Sequence, residues 1–480
     1  MSEFDLPFKS AIEHAKLIHS KQISPVELLK LYLERIDTWN PVLNTYLALN
    51  VEGAIAEATL AEASIMRGEI KSPLHGVPFG IKDNEITKDI ETTFGSLWMK
   101  GNIPKEDSVV VERIKAGGGI VVGKTNMPDW GLMIHSENRL GDHARNPWNI
   151  TRTAGGSSSG SAAGIAAGLC SIASGTDGGG SIRAPSSFCG VFGIRPTLGR
   201  VPRYSGPSNK YITNPVSQPG PIARTVEDAA VMLKMIAGFD NRDPDSVRLA
   251  VPDYPSLLKQ DLSGLRVAYS PDYGYADVDP EVSMATESAV KTIEGFGIKI
   301  EQVSLDLSDA FYGYWALVSS NWYAGLDEQF EERISELSPE ALAVYQYGKQ
   351  ITGKDYALAL GVRDQLISRL DTLFTKFHLL LSPTVPNTAF EVGKPKTGVQ
   401  ARYKDDLWGF PAHSPFTFPI NAVGLPGASI PCGFNASGLP IGLQVVGRRF
   451  EESTILQLCA KFEKERPWRM KIPPIFTKSD

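Results

Sequence analysis

Serine and glycine crowd into two knots, GGSSSG and GTDGGGS, within the stretch from Gly155 to Gly190, and a run of small apolar residues separates them. Ordering glycine costs more backbone entropy than ordering any other residue, so such a density needs a use that a Cβ would forbid. Two uses are weighed: a merely flexible loop, or a catalytic one in which a ligand approaches main-chain N–H groups closely. The apolar run between the knots is predicted to form one short helix. Gly178, Gly179, Gly180 and Ser181 suit the ligand use, because several amides precede a hydroxyl that can attack a carbonyl held among them. Ser157 and Ser158 in the first knot add further hydroxyls, and they also suit the start of the helix, where serine satisfies free N–H groups.

Around this block the chain reads as α/β alternation. Ser24, Pro25 and Glu27 form a capping box with proline at the first helical position, opening a helix through LLKLYLERI. A helix over VEGAIAEATLAEASIMRG, a strand and turn at LHGVPFGIKDN, a helix at VVVERIKAGG and a β-branched strand at GIVVGKT follow. Further on, Thr225 to Asp228 starts a helix, GLRVAYS and IKIEQVSL are strands around the helix PEVSMATESAVKTIEGFG, and residues 305–375 are mostly helical. HLLLSPTVP, GASIPCG and LPIGLQVVG are strands, and EESTILQLCAKFEKE closes the chain as a helix. The fold expected is one α/β domain over residues 1–480, with a large mixed central sheet covered by helices on both faces. Residues 305–375 form its variable helical subregion, and the loop 391–418 shapes the pocket. Phe311, Trp315, Val318 and Trp322 fall at helical spacing as a packing stripe, and Trp408, Phe410, Phe416 and Phe418 are candidates for the pocket entrance.

Composition narrows the function. Hydrophobic residues make up 42% and charged residues 21% of 480, and the net charge of −6 has no basic cluster, which argues against direct binding of nucleic acid. Cys170, Cys189, Cys432 and Cys459 have no metal-type or redox spacing and are expected to be reduced. No signal peptide or membrane span is evident, so a cytoplasmic protein is expected. HExxH and paired-cysteine patterns are absent, so neither metal nor other cofactor is expected. GGIVVGKT matches the phosphate-loop pattern, but a strand fills it. GSSSG matches a nucleophile elbow, but NITRTAG before it is not an apolar strand, and His378 and His413 are poor triad partners. With no convincing histidine, the base for a serine nucleophile could be a buried, neutral lysine, and Lys82 in VPFGIKDN is best placed by composition.

The motifs HGVPFGIKDN, GKTNMPDWG, the Gly155–Cys189 block with GTDGGGSIRAPSSFCGVFGIRPT, GPIARTVEDAA, GLPGASIPCGF and GLPIGLQ together resemble the amidase signature family over about residues 10–465. The resemblance implies Lys82, Ser157 and Ser181 as the Ser–cisSer–Lys catalytic set, with Ser181 the nucleophile, Ser157 a proton relay and Lys82 the base. It implies a cis peptide at Gly156–Ser157. The amides of Gly178, Gly179, Gly180 and Ser181 are implied as an oxyanion hole, Ser158, Asp177 and Arg183 as support, and Trp130 and Gly131 as the border of the acyl pocket. Ala154 stands where the family usually has proline, and Ser159 where glycine is common. The function expected is hydrolysis of small, fairly apolar amides, with esters, anilides or carbamates possible, by a monomer or homodimer. A glutamine-hydrolysing subunit of a tRNA-dependent amidotransferase is the alternative, and a non-catalytic binding protein on the same fold is a third reading.

Overall fold

The computed structural model describes residues 6–204, 214–326, 328–393 and 413–477. Thirteen strands occur there: β1 Tyr46–Leu49, β2 Pro78–Lys82, β3 Ile120–Thr125, β4 Arg145–Asn146, β5 Asn149–Thr153, β6 Ile172–Asp177, β7 Phe192–Arg195, β8 Gln218–Ala223, β9 Arg266–Tyr269, β10 Lys299–Gln302, β11 Leu379–Pro383, β12 Gly427–Phe434 and β13 Pro440–Gly447. Eleven of them form one mixed sheet in the order β1-β3-β2-β6-β8-β7-β12-β13-β11-β9-β10. β3, β2 and β6 run parallel, as do β11, β9 and β10, and antiparallel pairs from β6 through β13 to β11 join the two groups.

Both faces are covered, and strand periodicity shows how. Successive side chains on a strand point to opposite faces. In β3, Ile120 and Val122 pack with Leu29, Ile36, Ala54 and Ala58 from the helices Pro25–Leu43 and Val51–Met66. Val121 packs the other way, with Val110 and Ile114 of the helix Val109–Ala116. In β11, Leu379 and Leu381 meet the helices Pro280–Glu294 and Glu452–Glu465, whereas Leu380 meets Phe374 of Gly353–Lys376.

The expected mixed sheet with helices on both faces is present, and the helices opened by Ser24 and Thr225 carry the expected caps. The segment between the two knots differs from expectation. It is a helix, Ser159–Ala167, followed by the buried strand β6, so the second knot begins as the end of a central strand. NITRTAG does enter a strand, β5, but a polar one that pairs with β4 outside the main sheet. The helix Ala11–His19 and the strands β1, β7 and β8 had no expected counterpart. β8 carries Pro219 and Pro221, which read against a central strand because proline cannot donate to a ladder. It is tolerated here because β7 pairs only with Ile222 and Ala223 of β8. Within 391–418, residues 394–412, with Trp408 and Phe410, lie outside the described residues. Phe416 and Phe418 are fully buried among Tyr273, Phe311 and Tyr314, packed in the core rather than at a pocket entrance. All four cysteines are buried and unpaired, as expected. Among the described residues no helix is long and apolar enough to cross a membrane.

The helix Ser159–Ala167 is where backbone packs on backbone. A Cβ on Gly160 would lie 2.2 Å from Thr45 O and 2.3 Å from Asn126 N, whereas one on Gly164 would meet nothing nearer than Cys170 Sγ at 3.7 Å. Gly160→Ala is therefore expected to lower stability by about 2 kcal/mol or more. Gly164→Ala is expected to be neutral or slightly stabilising, since alanine favours helix. Urea midpoints of the two variants check this.

Candidate active site

Lys82 ends β2, the strand between β3 and β6, where no water reaches it. Its Nζ lies 2.8 Å from Ser157 Oγ, 2.9 Å from Thr176 Oγ1 and 3.2 Å from Thr176 O. Burial pulls its pKa down to about 7, although Asp177 and Glu85 pull the other way. An uncharged lysine has two N–H groups and one lone pair. The Thr176 carbonyl can only accept, and Thr176 Oγ1, which accepts from Asn84 Nδ2 at 2.8 Å, has a second lone pair that can take the other amine hydrogen. The lone pair is then left facing the Ser157 hydroxyl.

Ser157 follows a cis peptide at Gly156. The helix behind it has Ser158 at its N-cap with no side-chain cap bond, so capping is not what this hydroxyl does. Ser158 Oγ instead accepts from Thr176 N and donates to Thr176 O, both at 3.3 Å, and Ser158 N donates to Ser181 O at 3.0 Å. The first knot is thereby tied to the second. Ser159 donates to Asn126 O at 3.0 Å.

Asp177, the last residue of β6, organises the second knot. Its carboxylate accepts from Gly180 N at 2.8 Å, Ile182 N at 3.1 Å, Arg183 Nε at 3.0 Å and Nη2 at 2.9 Å, and Asn421 Nδ2 at 2.8 Å. Burial alone would raise its pKa, but Arg183 and these donors hold it well below the usual carboxylate range. Arg183, equally buried, also donates to Gln444 Oε1 at 2.6 Å and to Asn421 Oδ1. Gly180 N–H, expected among the oxyanion donors, is spent on Asp177. The amides of Gly178, Gly179 and Ser181 have no acceptor among the described residues. Thr176, Asn421 and Gln444 were not singled out in the sequence. Thr176 adjoins Asp177 in GTDGGGS, but the other two come from distant segments and carry no local signal.

Ser157, Ser181, Thr176, Gly178 and Gly179 line one cavity. Trp130 and Gly131 line it too, and a Cβ on Gly131 would lie 3.1 Å from Ser157 Oγ. Phe94, Trp315, Val318 and Trp322 line it as well. Three of the four stripe residues thus serve both core and cavity, while Phe311 only packs. Phe94 and Trp130 both sit at positive φ, 55° and 53°, each followed by a glycine at positive φ. Trp130 N donates to Phe94 O at 2.9 Å and the two rings stack 5.4 Å apart. Asp83 holds the Phe94 turn by accepting from Thr93 N and Gly95 N, each at 3.0 Å. The charged residues described at the cavity are Glu85 and Arg203. Arg203 is bonded to Asp245 and close to Asp243, and Lys124 lies beside Glu85.

Two further polar clusters do not themselves line the cavity. Lys124, the lysine of the phosphate-loop-like pattern, is buried inside β3 and donates to Glu85 O and to Thr87 Oγ1 at 2.9 Å, a structural role. His135, Glu137 and Glu340 bring ligand-type atoms within 4.8 Å of one another. However, Glu137 N donates to His135 Nδ1 at 3.2 Å, which places the ring proton on Nε2 and offers the carboxylates a donor rather than a free lone pair.

The chain belongs to the amidase family, whose model, described as Amidase, matches residues 27–456, and the fold is that of the amidase signature enzymes. It is 35% identical to a glutamyl-tRNA(Gln) amidotransferase subunit of Thermosynechococcus vestitus over 96% of this chain and 98% of that one. It is 34% identical to an acylamidase of Rhodococcus erythropolis over 98% of each. The solved structure of a bacterial aryl acylamidase superposes with a TM-score of 0.91 at 28% identity, over 98% of this chain and 99% of that one.

Asp177→Asn would leave Arg183 buried with its charge unmatched. Breaking such a pair from one side costs about 3–5 kcal/mol, so the variant is expected to unfold at markedly lower urea while an Arg67→Gln control, at an exposed pair, does not shift.

Proposed function

We propose that the protein hydrolyses small, fairly apolar amides through an acyl-enzyme on Ser181. The observation that carries this reading is the buried Lys82, titrating at about 7 and within 2.8 Å of Ser157 Oγ, beside a cavity lined by Ser157, Ser181 and backbone N–H groups that have no acceptor among the described residues. In this reading Ser181 Oγ bonds to the substrate carbonyl carbon as its proton passes to Ser157 and the Ser157 proton passes to Lys82 Nζ. The C=O electron pair moves onto oxygen and is met by the Gly179 and Ser181 amides, with Gly178 nearby. Collapse expels the amine, which takes the proton back from Lys82 through Ser157. Water, deprotonated by the same route, then releases the acid and frees Ser181. No cofactor is needed.

The substrate class follows from the cavity walls. Indole and phenyl rings dominate them, and the charges of Glu85 and Arg203 are met by Lys124 and by Asp243 and Asp245, which favours an apolar acyl or amine part over a zwitterion. Anilides, esters and carbamates fit the same chemistry. The glutaminase reading is favoured by the 35% identity to the amidotransferase relative. A panel of aryl amides, aliphatic amides, carbamates and glutamine decides between them. Aryl amides are expected to exceed glutamine at least about a hundredfold in kcat/KM, since burying an unmatched charge costs several kcal/mol. Glutamine turnover that appears only with a co-purifying partner would reverse the assignment. We place the protein in the cytoplasm, where four unpaired buried thiols are stable.

Fluorophosphonate is expected to add one group at Ser181, seen by intact mass and peptide mapping, and inertness of folded protein towards it and the whole panel would favour a binding role instead. Because Lys82 must be neutral to accept a proton and titrates at about 7, kcat/KM should rise about tenfold from pH 6 to pH 8 and then level off. Lys82→Ala should lower kcat by about 10²–10⁴ and remove that rise.

A further inference from the structure

Four consecutive peptide units make up the turn after β6, and each is held by its carbonyl. Asp177 O accepts from Asn421 Nδ2 at 2.9 Å, Gly178 O from the Tyr314 hydroxyl at 2.6 Å, Gly179 O from the Thr417 hydroxyl at 2.7 Å, and Gly180 O from Ala184 N at 2.7 Å. In a trans peptide the C=O and the following N–H point in opposite directions, so anchoring a carbonyl aims the next amide. The Gly180 amide is aimed at Asp177 Oδ1, 2.8 Å away. Those of Gly179 and Ser181 meet no acceptor among the described residues, and both residues line the cavity.

The units differ in how firmly they are fixed. Gly179–Gly180 is clamped at both ends, by Thr417 and Asp177, and Gly180–Ser181 is locked by the first turn of the helix Arg183–Cys189. Gly178–Gly179 has a side-chain bond at its carbonyl end only, and that bond comes from Tyr314. This tyrosine lies on the helix Ala310–Gly325, in the subregion 305–375. It is buried, Asn214 hydrogen-bonds its phenol, and its ring packs on Phe418 and Trp315.

We infer that Tyr314 is a positioning residue that acts through the Gly178 carbonyl to aim the Gly179 amide at the oxyanion; the inference rests on the acyl-transfer reading above. It makes the helical subregion a determinant of rate as well as of pocket shape. Without the hydroxyl, the Gly178–Gly179 unit can rotate towards any acceptor that satisfies it. Its amide is then pre-aimed for only part of the time, whereas the Gly180 unit, still held by Asp177, would tolerate loss of the Thr417 hydroxyl better.

The test is Tyr314→Phe, which keeps the ring and its packing, beside Thr417→Val. With an aryl amide, Tyr314→Phe is expected to lower kcat at least about tenfold with KM within about twofold. Affinity for a trifluoromethyl ketone that forms a tetrahedral adduct on Ser181 should weaken by the same factor, and Thr417→Val should lose clearly less of both. If Tyr314→Phe does not fold, Asn214→Ala, which leaves the phenol but removes a side chain that orients it, should show a milder form of the same split. Wild-type protein that forms no ketone adduct would overturn the acyl-transfer reading and this inference with it. A wild-type adduct together with unchanged kcat in Tyr314→Phe, or lost kcat with undiminished ketone affinity, would leave that reading standing and show that Tyr314 only packs.

Discussion

A buried carboxylate that cannot be left unpaired sets the shape of the centre of this molecule. Asp177 lies where β6 ends, and a negative charge without solvent needs donors from every side. It takes them from its own turn, from Arg183 and from Asn421. Satisfying the charge bends the chain back on itself, starts the helix Arg183–Cys189 and joins segments more than two hundred residues apart. The same charge favours protonation of Lys82 against the larger effect of burial, so the lysine is held near neutrality rather than driven far below it.

Two lysines are fully buried on neighbouring strands, and they show how context divides one residue type into two roles. Lys124 in β3 is surrounded by the acidic groups Asp83 and Glu85, and its pKa falls only to about 8. Lys82 in β2 is likewise pulled down by burial, against Asp177 and Glu85, to about 7, but its Nζ lies beside the Ser157 hydroxyl. The first donates to the Glu85 carbonyl and the Thr87 hydroxyl and so ties down the turn after β2. The second can give up its proton at ordinary pH.

Local chemistry made much of this legible in the sequence. Capping boxes, β-branched runs and amphipathic periods located the outer helices and strands, and the Ser, Gly and Lys motifs located the centre. Two of the strands that escaped have compositions dictated by the site or by pairing: β6 is small and polar because Ser174, Thr176 and Asp177 face Lys82 and the turn, and β8 contains two prolines. The glycine turn after β6 was readable as a cluster of amides, but not the use of Gly180 by Asp177, which depends on how a three-glycine turn closes. The contributions of Tyr314, Thr417, Asn421 and Gln444 depend on tertiary contacts between distant segments, which no spacing encodes.

The paired turns at Phe94 and Trp130 limit how this cavity can be remodelled. A left-handed backbone tolerates an unbranched side chain at modest cost but penalises one branched at Cβ heavily. Gly95, beside Phe94, is locked as well, since a Cβ there would lie 2.4 Å from Met127 O. Divergence at these two positions is therefore channelled towards rings, asparagine or glycine and away from valine, isoleucine and threonine, so new substrate preferences are reached more easily by exchanging residues on the helix Ala310–Gly325 than at these two turns.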